Sequence, residues 1–410
     1  MIRTCFCLLF ISMSLLIRAQ WIQVDSIPYG VNKFTGVWFV NDQVGFVVGD
    51  AGEILRTTNG GKNWQIRNSG INANLLDVCF STETTGCAVG AEGMLVFTSD
   101  GGNQWQWKNT WTVSDLYSID FGDTSTGYVV GGQGTLLKTI NGGAQWELLS
   151  FGDFNAYVEV QFQNATLGFT VKASGIQPNG ALLRTTDGAI SWEEILTIPA
   201  VTALHFSDDQ NGFASYTIET GPITETEFYS SVDGGQTWTL ENPDCPGFSE
   251  IFFVNDSTGY GITYTKIYKT TNRGKTWKAQ LSNGSAMFSG LFFVDPYLGF
   301  AVGYDGVIYR TTNGGEVGIE DPITNYELRI TNYPNPVLSS TTISYCIPTD
   351  SHVRINVTNA LGTEVARVAD HPTAPGRYSL HFDFSDLPPG IYYCSLRTDS
   401  GNLVHKMVKL

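Results

Sequence analysis

The octapeptide TTNGGKNW, residues 57–64, recurs along the chain and decides its fold. Each copy has Thr or Ser, a variable residue, Asn or Asp, and then a glycine-containing run that in most copies ends in Trp. Asn and Asp side chains bond to nearby backbone N–H groups, and Gly accepts positive φ without steric cost. The repeat therefore predicts the same tight turn at each copy. The copies begin at Thr57, Thr98, Thr139, Thr185, Ser231, Thr270 and Thr311.

Two landmarks precede each turn. One strand pattern ends in Phe, and the next strand opens with Gly. Four short strand patterns in a unit of roughly 40–50 residues are typical of a β-propeller blade. Seven units therefore predict an all-β fold built on a seven-bladed β-propeller. The Phe landmarks are Phe39, Phe80, Phe121, Phe162, Phe206, Phe253 and Phe293, and the Gly landmarks are Gly45, Gly86, Gly127, Gly168, Gly212, Gly259 and Gly299.

The seventh copy is incomplete, and the N-terminal segment WIQV can complete it. Gly318 stands where the other copies have Trp, and the fourth strand pattern is missing. We expect Trp21–Val24 to become the outer strand of blade seven, with Trp21 in the vacant position, because ring closure removes an open sheet edge. We predict structural roles for Trp21, Asn59, Trp64, Asp100, Trp105, Asn141, Trp146, Asp187, Trp192, Asp233, Trp238, Asn272, Trp277 and Asn313.

The first 19 residues have the features of a secretory signal peptide. Arg3 supplies a positive charge, the apolar run Cys5–Ile17 is too short to cross a bilayer, and Ala19 is a small residue suited to a cleavage site. No later stretch is apolar for the length of a membrane span. We therefore expect a soluble, exported mature protein, and we expect it to be a monomer.

The chain divides into a propeller and a second domain. We place the propeller at residues 20–318, a linker at 319–326 and the second domain at 327–410. The last segment alternates strand patterns with Pro and Gly, which predicts a small Ig-like β-sandwich. Cys346 and Cys394 fall within it and either pair in the oxidising compartment or remain buried thiols.

The charge distribution excludes several classes of partner. The net charge is −16, whereas residues 327–410 contain seven basic and seven acidic residues, so the excess acid lies upstream. An acidic surface repels phosphate backbones and anionic lipids. Neither nucleic acid nor a membrane surface is therefore an expected partner. No His and Cys residues have the spacing of zinc ligands, and we predict no metal and no cofactor.

The turn repeat resembles the Asp-box, or BNR, repeat. Together with copies such as Val48–Gly61, it looks like propellers of the photosystem II assembly-factor type. The resemblance implies the propeller fold. It does not select a function, because Asp-boxes occur in sialidases, xyloglucanases and sortilin-like receptors.

The second domain resembles the type A sorting domain of type IX secretion cargo. The matching motifs are YPNP at 333–336, NALG at 359–362, LPPGIYY at 387–393 and the basic tail at 406–410. The resemblance implies that the type IX secretion machinery recognises this domain and carries the chain across the outer membrane, for release or for surface attachment. The sorting-signal residues that it implies are Tyr333, Pro334, Asn335, Pro336, Gly362, Gly390, Tyr392, Lys406 and Lys409.

Candidate binding residues lie on the propeller face opposite to the Asp-box turns. The loops Val171–Gly180 and Tyr216–Phe228 break the short Gly-x-x-Gly pattern there, and the loops between blades add Trp111, Phe154 and Tyr157. Exposed aromatic rings beside polar loops stack on sugars or grip peptides, whereas ordinary loop variation is the alternative.

The innermost strands carry further candidates, three residues or one residue before a landmark Phe. These polar side chains either form a ligand site at the channel mouth or make contacts between adjacent blades. The full set of candidate ligand-binding residues is Asp77, Trp111, Asp120, Tyr157, Glu159, Gln161, His205, Glu219, Glu225 and Glu250.

We expect an exported or cell-surface binding or scaffold protein without catalytic activity, with a protein or glycan as partner. The first alternative is an Asp-box glycoside hydrolase that uses Asp77 and Glu159 as acid and base. Arg56, Arg184 and Arg310 are repeat positions rather than a converging sialidase triad. The second alternative, an assembly-factor role, conflicts with export.

Overall fold

The computed structural model describes residues 21–24, 27, 33–173, 180–196, 201–220, 223–282, 286–315, 328–333, 335–337, 339–347, 349–374, 376–399 and 401–410. The predicted signal peptide and linker lie outside these residues. Within them, 28 strands form seven four-stranded antiparallel sheets, which are the blades of the propeller.

Blades one to six each contain four consecutive strands, and blade seven combines three strands with β1. The propeller strands are β1 (Ile22–Gln23), β2 (Phe34–Phe39), β3 (Gly45–Gly49), β4 (Glu53–Thr57), β5 (Gln65–Asn68), β6 (Leu75–Phe80), β7 (Gly86–Gly90), β8 (Leu95–Thr98), β9 (Gln106–Trp107), β10 (Leu116–Phe121), β11 (Gly127–Gly131), β12 (Thr135–Thr139), β13 (Glu147–Ser150), β14 (Tyr157–Phe162), β15 (Gly168–Lys172), β16 (Ala181–Thr185), β17 (Glu193–Leu196), β18 (Val201–Phe206), β19 (Gly212–Thr220), β20 (Ile223–Ser231), β21 (Thr239–Asn242), β22 (Glu250–Phe253), β23 (Gly259–Ile262), β24 (Lys266–Thr270), β25 (Lys278–Ser282), β26 (Phe288–Phe293), β27 (Gly299–Gly303) and β28 (Ile308–Thr311). Two short 3-10 turns, Asp50–Gly52 and Ala91–Gly93, connect the second and third strands of blades one and two.

Each Asp-box turn is organised by its hydroxyl residue. In blade one, the Thr57 hydroxyl accepts the N–H groups of Asn59 and Gly61 at 3.3 and 3.0 Å, and it donates to Asn59 Oδ1 at 3.0 Å. Asn59 Oδ1 also accepts the N–H of Asn63. The turn thus satisfies its own backbone donors, which explains the residue types of the repeat.

The Phe and Gly landmarks meet across the first hairpin of each blade. Phe39 pairs directly with Gly45, and a Cβ added to Gly45 would lie 2.5 Å from the Phe39 ring. Only Gly leaves room for that ring. The Trp that follows the turn, Trp64, packs edge-on against Phe39 with ring centroids 5.9 Å apart and planes at 84°. Landmark residues far apart in the repeat therefore form one packed unit.

The N-terminal strand closes the ring. β1 pairs with β28 in the register Ile22 to Arg310, so it is the outer strand of blade seven. Trp21 is 1% exposed and meets Phe293 edge-on at 5.7 Å and 88°, the geometry of Trp64 and Phe39 in blade one. The chain terminus thus supplies the Trp that the seventh repeat lacks.

In several blades, an Arg or Lys side chain donates a hydrogen bond to the Asp-box turn of the next blade. Arg56 Nε donates to Gly101 O at 2.8 Å, and Arg310 Nε donates to Gly60 O at 2.7 Å across the closure of the ring. Lys138 makes the equivalent bond. These side chains therefore make hydrogen bonds between neighbouring blades, and they do not converge on a shared anion site.

The second domain is a β-sandwich. Its strands are β29 (Arg329–Tyr333), β30 (Ser340–Ile347), β31 (Ser351–Asn359), β32 (Glu364–Thr373), β33 (Gly376–Asp383), β34 (Gly390–Thr398) and β35 (Gly401–Lys409). The sheets have the orders β29-β30-β33 and β32-β31-β34-β35, and they share one apolar core. Cys394 is a free thiol buried in that core, whereas Cys346 is partly exposed on the other sheet.

The predicted sorting-signal residues are distributed around the last strand. Asn335 Nδ2 donates to Lys406 O, and its Oδ1 accepts the N–H of Val408, each at 2.9 Å. Tyr392 is buried, and its hydroxyl donates to Pro388 O at 2.7 Å. The positions of the others are as follows: Tyr333 ends β29, Gly362 has φ of 80°, Gly390 opens β34, Lys406 and Lys409 lie in β35, Pro336 follows Asn335, and Pro334 lies outside the described residues.

Blade five differs from the sequence-based expectation. The segment Tyr216–Phe228, predicted as a loop, instead continues β19 and β20 as a long hairpin with pairing from Gly212–Ser231 to Thr220–Ile223. Its alternating Thr, Ile and Glu residues suit a two-stranded ribbon, since β-branched side chains favour strands. Residues 174–179 of the other predicted loop lie outside the described residues.

Candidate functional site

The polar side chains of the innermost strands bridge adjacent blades. Asp77 Oδ2 accepts the N–H of Ile119 at 2.9 Å, and Glu159 Oε2 accepts the N–H of Leu204 at 3.0 Å. An innermost strand is a sheet edge, and its outward N–H groups find no partner within their own blade. The preceding blade supplies the acceptor.

The residues one position before the landmark Phe act in the same way. Asp120 Oδ2 accepts the N–H of Phe162 at 2.6 Å, and His205 Nδ1 accepts the N–H of Phe253 at 3.2 Å. Gln161 makes two bonds to the backbone of Phe206, accepting at 2.7 Å and donating at 3.1 Å. The backbone of Leu291 bonds to Glu250. Six of the predicted site residues therefore have a structural partner in the next blade. These six residues are Asp77, Asp120, Glu159, Gln161, His205 and Glu250.

Burial in the channel wall shifts the protonation of these groups. Desolvation raises the pKa of Asp77 to about 6, of Asp120 to about 7 and of Glu159 to about 8, and it raises that of Glu250 as well. The N–H bonds act in the opposite direction, but they do not offset the burial. Desolvation also lowers the pKa of His205 to about 3, so the imidazole is neutral and accepts its N–H bond.

We expect the propeller to become more stable as pH falls from about 8.5 to about 6.5. A carboxyl whose pKa is higher in the folded chain binds protons more tightly there. Its contribution to the free energy of unfolding is complete below its pKa in the unfolded chain. That contribution is lost as pH rises through its pKa in the folded chain. Glu159 and Asp120 titrate in this window. Below about 6.5, His205 opposes the trend, because its lowered pKa favours unfolding in acid. Melting temperatures across this range measure the effect.

Glu159→Gln is the matched variant for that measurement. A Gln keeps an oxygen for the N–H of Leu204, as Gln161 already does for Phe206, and it removes the titrating proton. The variant should fold and should show a smaller rise in melting temperature toward acid. Equal pH dependence in both proteins, or none in the parent, would contradict the assignment.

The structure gives the channel no metal-binding geometry. In the described part of the chain, no group of three or more His, Cys, Asp and Glu side chains is arranged to hold a metal ion. One wall of the channel is aromatic. The ring centroids of Trp38 and Phe292 are 5.1 Å apart, and those of His205 and Phe252 are 4.4 Å apart. The channel therefore combines packed rings with carboxyls that already have partners.

The opposite face, the loop face, carries the loops between blades and those between second and third strands. Three apolar side chains are exposed in two successive loops between blades: Trp111 at 72%, Val113 at 86% and Phe154 at 92%. We name these three residues the aromatic patch. The sequence alone does not single out Val113, because one Val between polar residues carries no signal of its own.

Trp111 occupies a backbone position that glycine fills in the neighbouring loops. Its φ is 57°, and its N–H is accepted by Asn109 Oδ1 at 3.0 Å. The equivalent residues are Gly70 and Gly152, with φ of 77° and 82° and N–H groups bonded to the side chains two residues earlier. A left-handed backbone is unfavourable for a bulky residue, and Trp111 is largely exposed rather than buried in compensation.

Tyr157 does not belong to this surface. The sequence pattern predicts an exposed loop residue here, which is wrong: Tyr157 opens β14 and is 2% exposed. Its ring stacks on Phe151 at 3.6 Å, and its hydroxyl donates to Asp153 Oδ2 at 3.0 Å. The strand begins earlier than the sequence pattern indicates, and this turns the ring toward the core.

The blade-five hairpin contributes acidic residues to the loop face. Glu225 is exposed, and Glu227 accepts a bond from the Tyr229 hydroxyl at 2.5 Å. Glu219 lies in β19, and its side chain is outside the described part of the structure. The structure thus places Glu225 at the surface and leaves Glu219 a prediction.

The second domain contacts the propeller on the Asp-box face. A cavity of about 270 Å³ there is lined by Trp38 and Asp120 from the propeller and by Thr342 and His381 from the sandwich. His381 Nδ1 lies 3.8 Å from Glu83 Oε1. The second domain therefore lies over the channel mouth opposite to the loop face, and it leaves the aromatic patch uncovered.

Comparison with known proteins identifies the second domain. Residues 331–410 match the family model of the secretion system C-terminal sorting domain. The sorting domain implies export by the type IX secretion system and a secreted or cell-surface location. Residues 107–239 of the propeller match the family model of the photosynthesis system II assembly factor YCF48. No curated protein matches the chain.

Solved structures support the propeller fold. YCF48 from Cyanidioschyzon merolae is 19% identical, with 72% of this chain and 98% of that chain covered and a TM-score of 0.56. PorZ, a surface component of the type IX secretion system of Porphyromonas gingivalis, is 12% identical over 93% and 58% of the two chains, with a TM-score of 0.50. An ancestral GH74 enzyme is 15% identical over 94% of this chain and 63% of that chain, with a TM-score of 0.57. These similarities establish the fold, and they include both enzymes and non-enzymes.

The described part of the chain contains no helix with the length and apolar character of a membrane span.

Proposed function

We propose that this chain is an exported, non-catalytic binding protein that holds its partner through the aromatic patch on the loop face of the propeller. The backbone of Trp111 carries the proposal. A tryptophan stands at a left-handed position where Gly70 and Gly152 serve the neighbouring loops, at a cost of about 1 kcal/mol or more. A large, mostly exposed ring at such a position supports a role in binding, because little of the ring is buried on folding.

The state of the channel carboxyls supports the absence of catalysis. Asp77 and Glu159 each give an oxygen to a backbone N–H group of the next blade, so replacing either one disturbs the ring as well as any chemistry. The hydrolase alternative retains one favourable observation, since the pKa of Asp77 is about 6 and that of Glu159 about 8. A catalytic acid and a catalytic base need pKa values that differ in this way. A glycosidase assay of the parent and of Asp77→Asn decides between the two functions.

The partner classes open to this surface are protein and glycan. One solved relative is described as YCF48 bound to D1 peptide, which shows that a propeller of this kind can hold a peptide. The sorting domain delivers the propeller to the exterior, where its partner must lie.

Trp111→Gly should weaken binding by roughly thirtyfold or more without loss of stability. The substitution gives the loop the residue that its neighbours use, so the strain disappears while the ring is removed. A central aromatic anchor contributes about 2 kcal/mol or more to binding. The measurement is a screen of the mature chain against glycan and peptide arrays, with melting temperatures taken in parallel.

Ile140→Ala provides the matched control. Ile140 is 75% exposed in an Asp-box turn on the opposite face, so its loss removes a comparable exposed apolar side chain from the other side of the ring. Binding should persist in this variant. Binding that survives Trp111→Gly, or that is lost equally in both variants, would contradict the proposal.

A further inference from the structure

We infer that the partner of the loop face is a cationic segment of another polypeptide that carries at least one apolar side chain. The inference rests on the proposed function, because it uses the same patch. It adds a chemical class that the patch alone does not define.

Acidic residues lie in or next to the loops that carry the aromatic patch. Asp115 Oδ1 accepts the N–H of Glu92 at 2.9 Å, which holds these two acidic residues together beside the loop of Trp111. Asp153 directly precedes Phe154 in the next loop. None of the ion pairs among the described residues involves Glu92, Asp115 or Asp153. No basic side chain therefore neutralises these three charges among the described residues, and Glu92 is exposed on this face.

The charge of the whole propeller acts in the same direction. The chain has a net charge of −16, and residues 327–410 contribute none of it. Such a field attracts cationic partners and repels phosphate and anionic lipid. Exposed Glu225 adds a negative charge on the blade-five hairpin. The net charge therefore favours a basic partner, and the acidic residues beside the loop of Trp111 favour it on this face.

The polar groups of the two loops favour a polypeptide over a glycan. Sugar sites use directional polar groups placed around a stacking ring. Here Asn109 Oδ1 accepts the N–H of Trp111, and Asp153 Oδ2 accepts bonds from Asn155 Nδ2 at 2.6 Å and from the Tyr157 hydroxyl at 3.0 Å. These polar groups bond within their own loops, so they are not free to bind the hydroxyl groups of a sugar. The negative charge of the loops is then the main polar feature available to a partner. Val113 adds an apolar contact but no ring.

Lysine and arginine side chains match both features. Their ammonium or guanidinium group interacts with the carboxylates, and it also binds over the face of an exposed Trp or Phe ring. Their aliphatic stems cover apolar surface. An adjacent apolar side chain then packs between Trp111 and Val113.

The test uses the complete mature chain and three probes. These are a lysine- and arginine-rich peptide library with one apolar residue per peptide, the same library with glutamate in place of each basic residue, and an array of neutral glycans. The basic library should bind, with affinity that falls as NaCl concentration rises. Trp111→Gly should weaken this binding by roughly thirtyfold or more. Glu92→Lys and Glu225→Lys should each weaken it by roughly two- to fivefold.

Asp209→Lys is the control for charge reversal. Asp209 is exposed in a first-hairpin turn on the Asp-box face, so the variant changes the net charge equally but away from the patch. Equal losses in Asp209→Lys and Glu92→Lys would overturn the inference. Binding to glycans or acidic peptides that depends on Trp111 and not on salt would also overturn it and would leave the proposed function intact. Absence of any Trp111-dependent binding would overturn both.

Discussion

Trp21→Ala is expected to lower the free energy of unfolding of the propeller by about 3–5 kcal/mol. Trp21 is the largest fully buried side chain contributed by the N-terminal segment, and it fills the space between Gly315 and Phe293. Its removal leaves a cavity at the point where the ring closes. The structure around such a cavity relaxes only partially, so the loss of packing adds to the loss of apolar burial. Denaturant unfolding of the parent and the variant measures the loss.

Ile22→Ala is the control for that experiment. Ile22 is the next residue in the same strand, but it is 60% exposed, and the expected change is within about 0.5 kcal/mol. A large effect at Trp21 with little effect at Ile22 assigns the energy to the buried ring rather than to the strand. An unchanged free energy of unfolding in Trp21→Ala would refute closure by this segment.

The sequence predicted the parts of the fold that depend on local chemistry. The turn Thr57–Asn59–Gly61 satisfies its own donors, and Phe39 needs Gly45 because they are direct partners in one hairpin. Both requirements act within a single repeat, so they recur as visible residue patterns. The ring closure followed from counting, since one Trp was missing at the end of the repeats and one was present at the start.

The candidate site depended on contacts that a single repeat does not contain. Asp77 and Ile119 are 42 residues apart, and nothing in either segment indicates whether the carboxyl faces a ligand or a neighbouring N–H group. The sequence placed the carboxyls in the channel, and the structure supplied their partners. For Tyr157, an earlier start of β14 was enough to turn the ring from the surface into the core.

Trp111 is an intermediate case. When the loops between blades are aligned, Trp111 occupies the same position as Gly70 and Gly152. The exchange of Gly for Trp is therefore visible in the sequence. The meaning of the substitution needed the backbone angle, because glycine in a loop has several explanations. The acidic surroundings were likewise visible only as a net charge, and the bond between Asp115 and the N–H of Glu92 locates part of that charge beside the loop of Trp111.

Deletion of residues 328–410 is expected to abolish export across the outer membrane while the propeller remains folded. The apolar cores of the blades and of the sandwich are built from separate residues, and ring closure uses Trp21 rather than any residue of the sorting domain. Removal of the domain therefore takes the export signal away without opening the ring. The measurement is the distribution of the truncated chain between periplasm and medium or cell surface, with protease resistance as the test of folding.

Transfer of residues 328–410 to an unrelated periplasmic protein separates the sorting signal from the stability of the propeller. If the signal lies in the sandwich, the fusion should leave the cell in a host with a type IX system and stay inside a host without one. Asn335→Ala in the fusion should reduce export, because Asn335 holds β35 through Lys406 O and the N–H of Val408. Arg354→Ala is the control, since Arg354 is an exposed partner of Asp370 away from that strand. Export of the truncated propeller at the parental level, or retention of the fusion, would place the signal outside the sandwich.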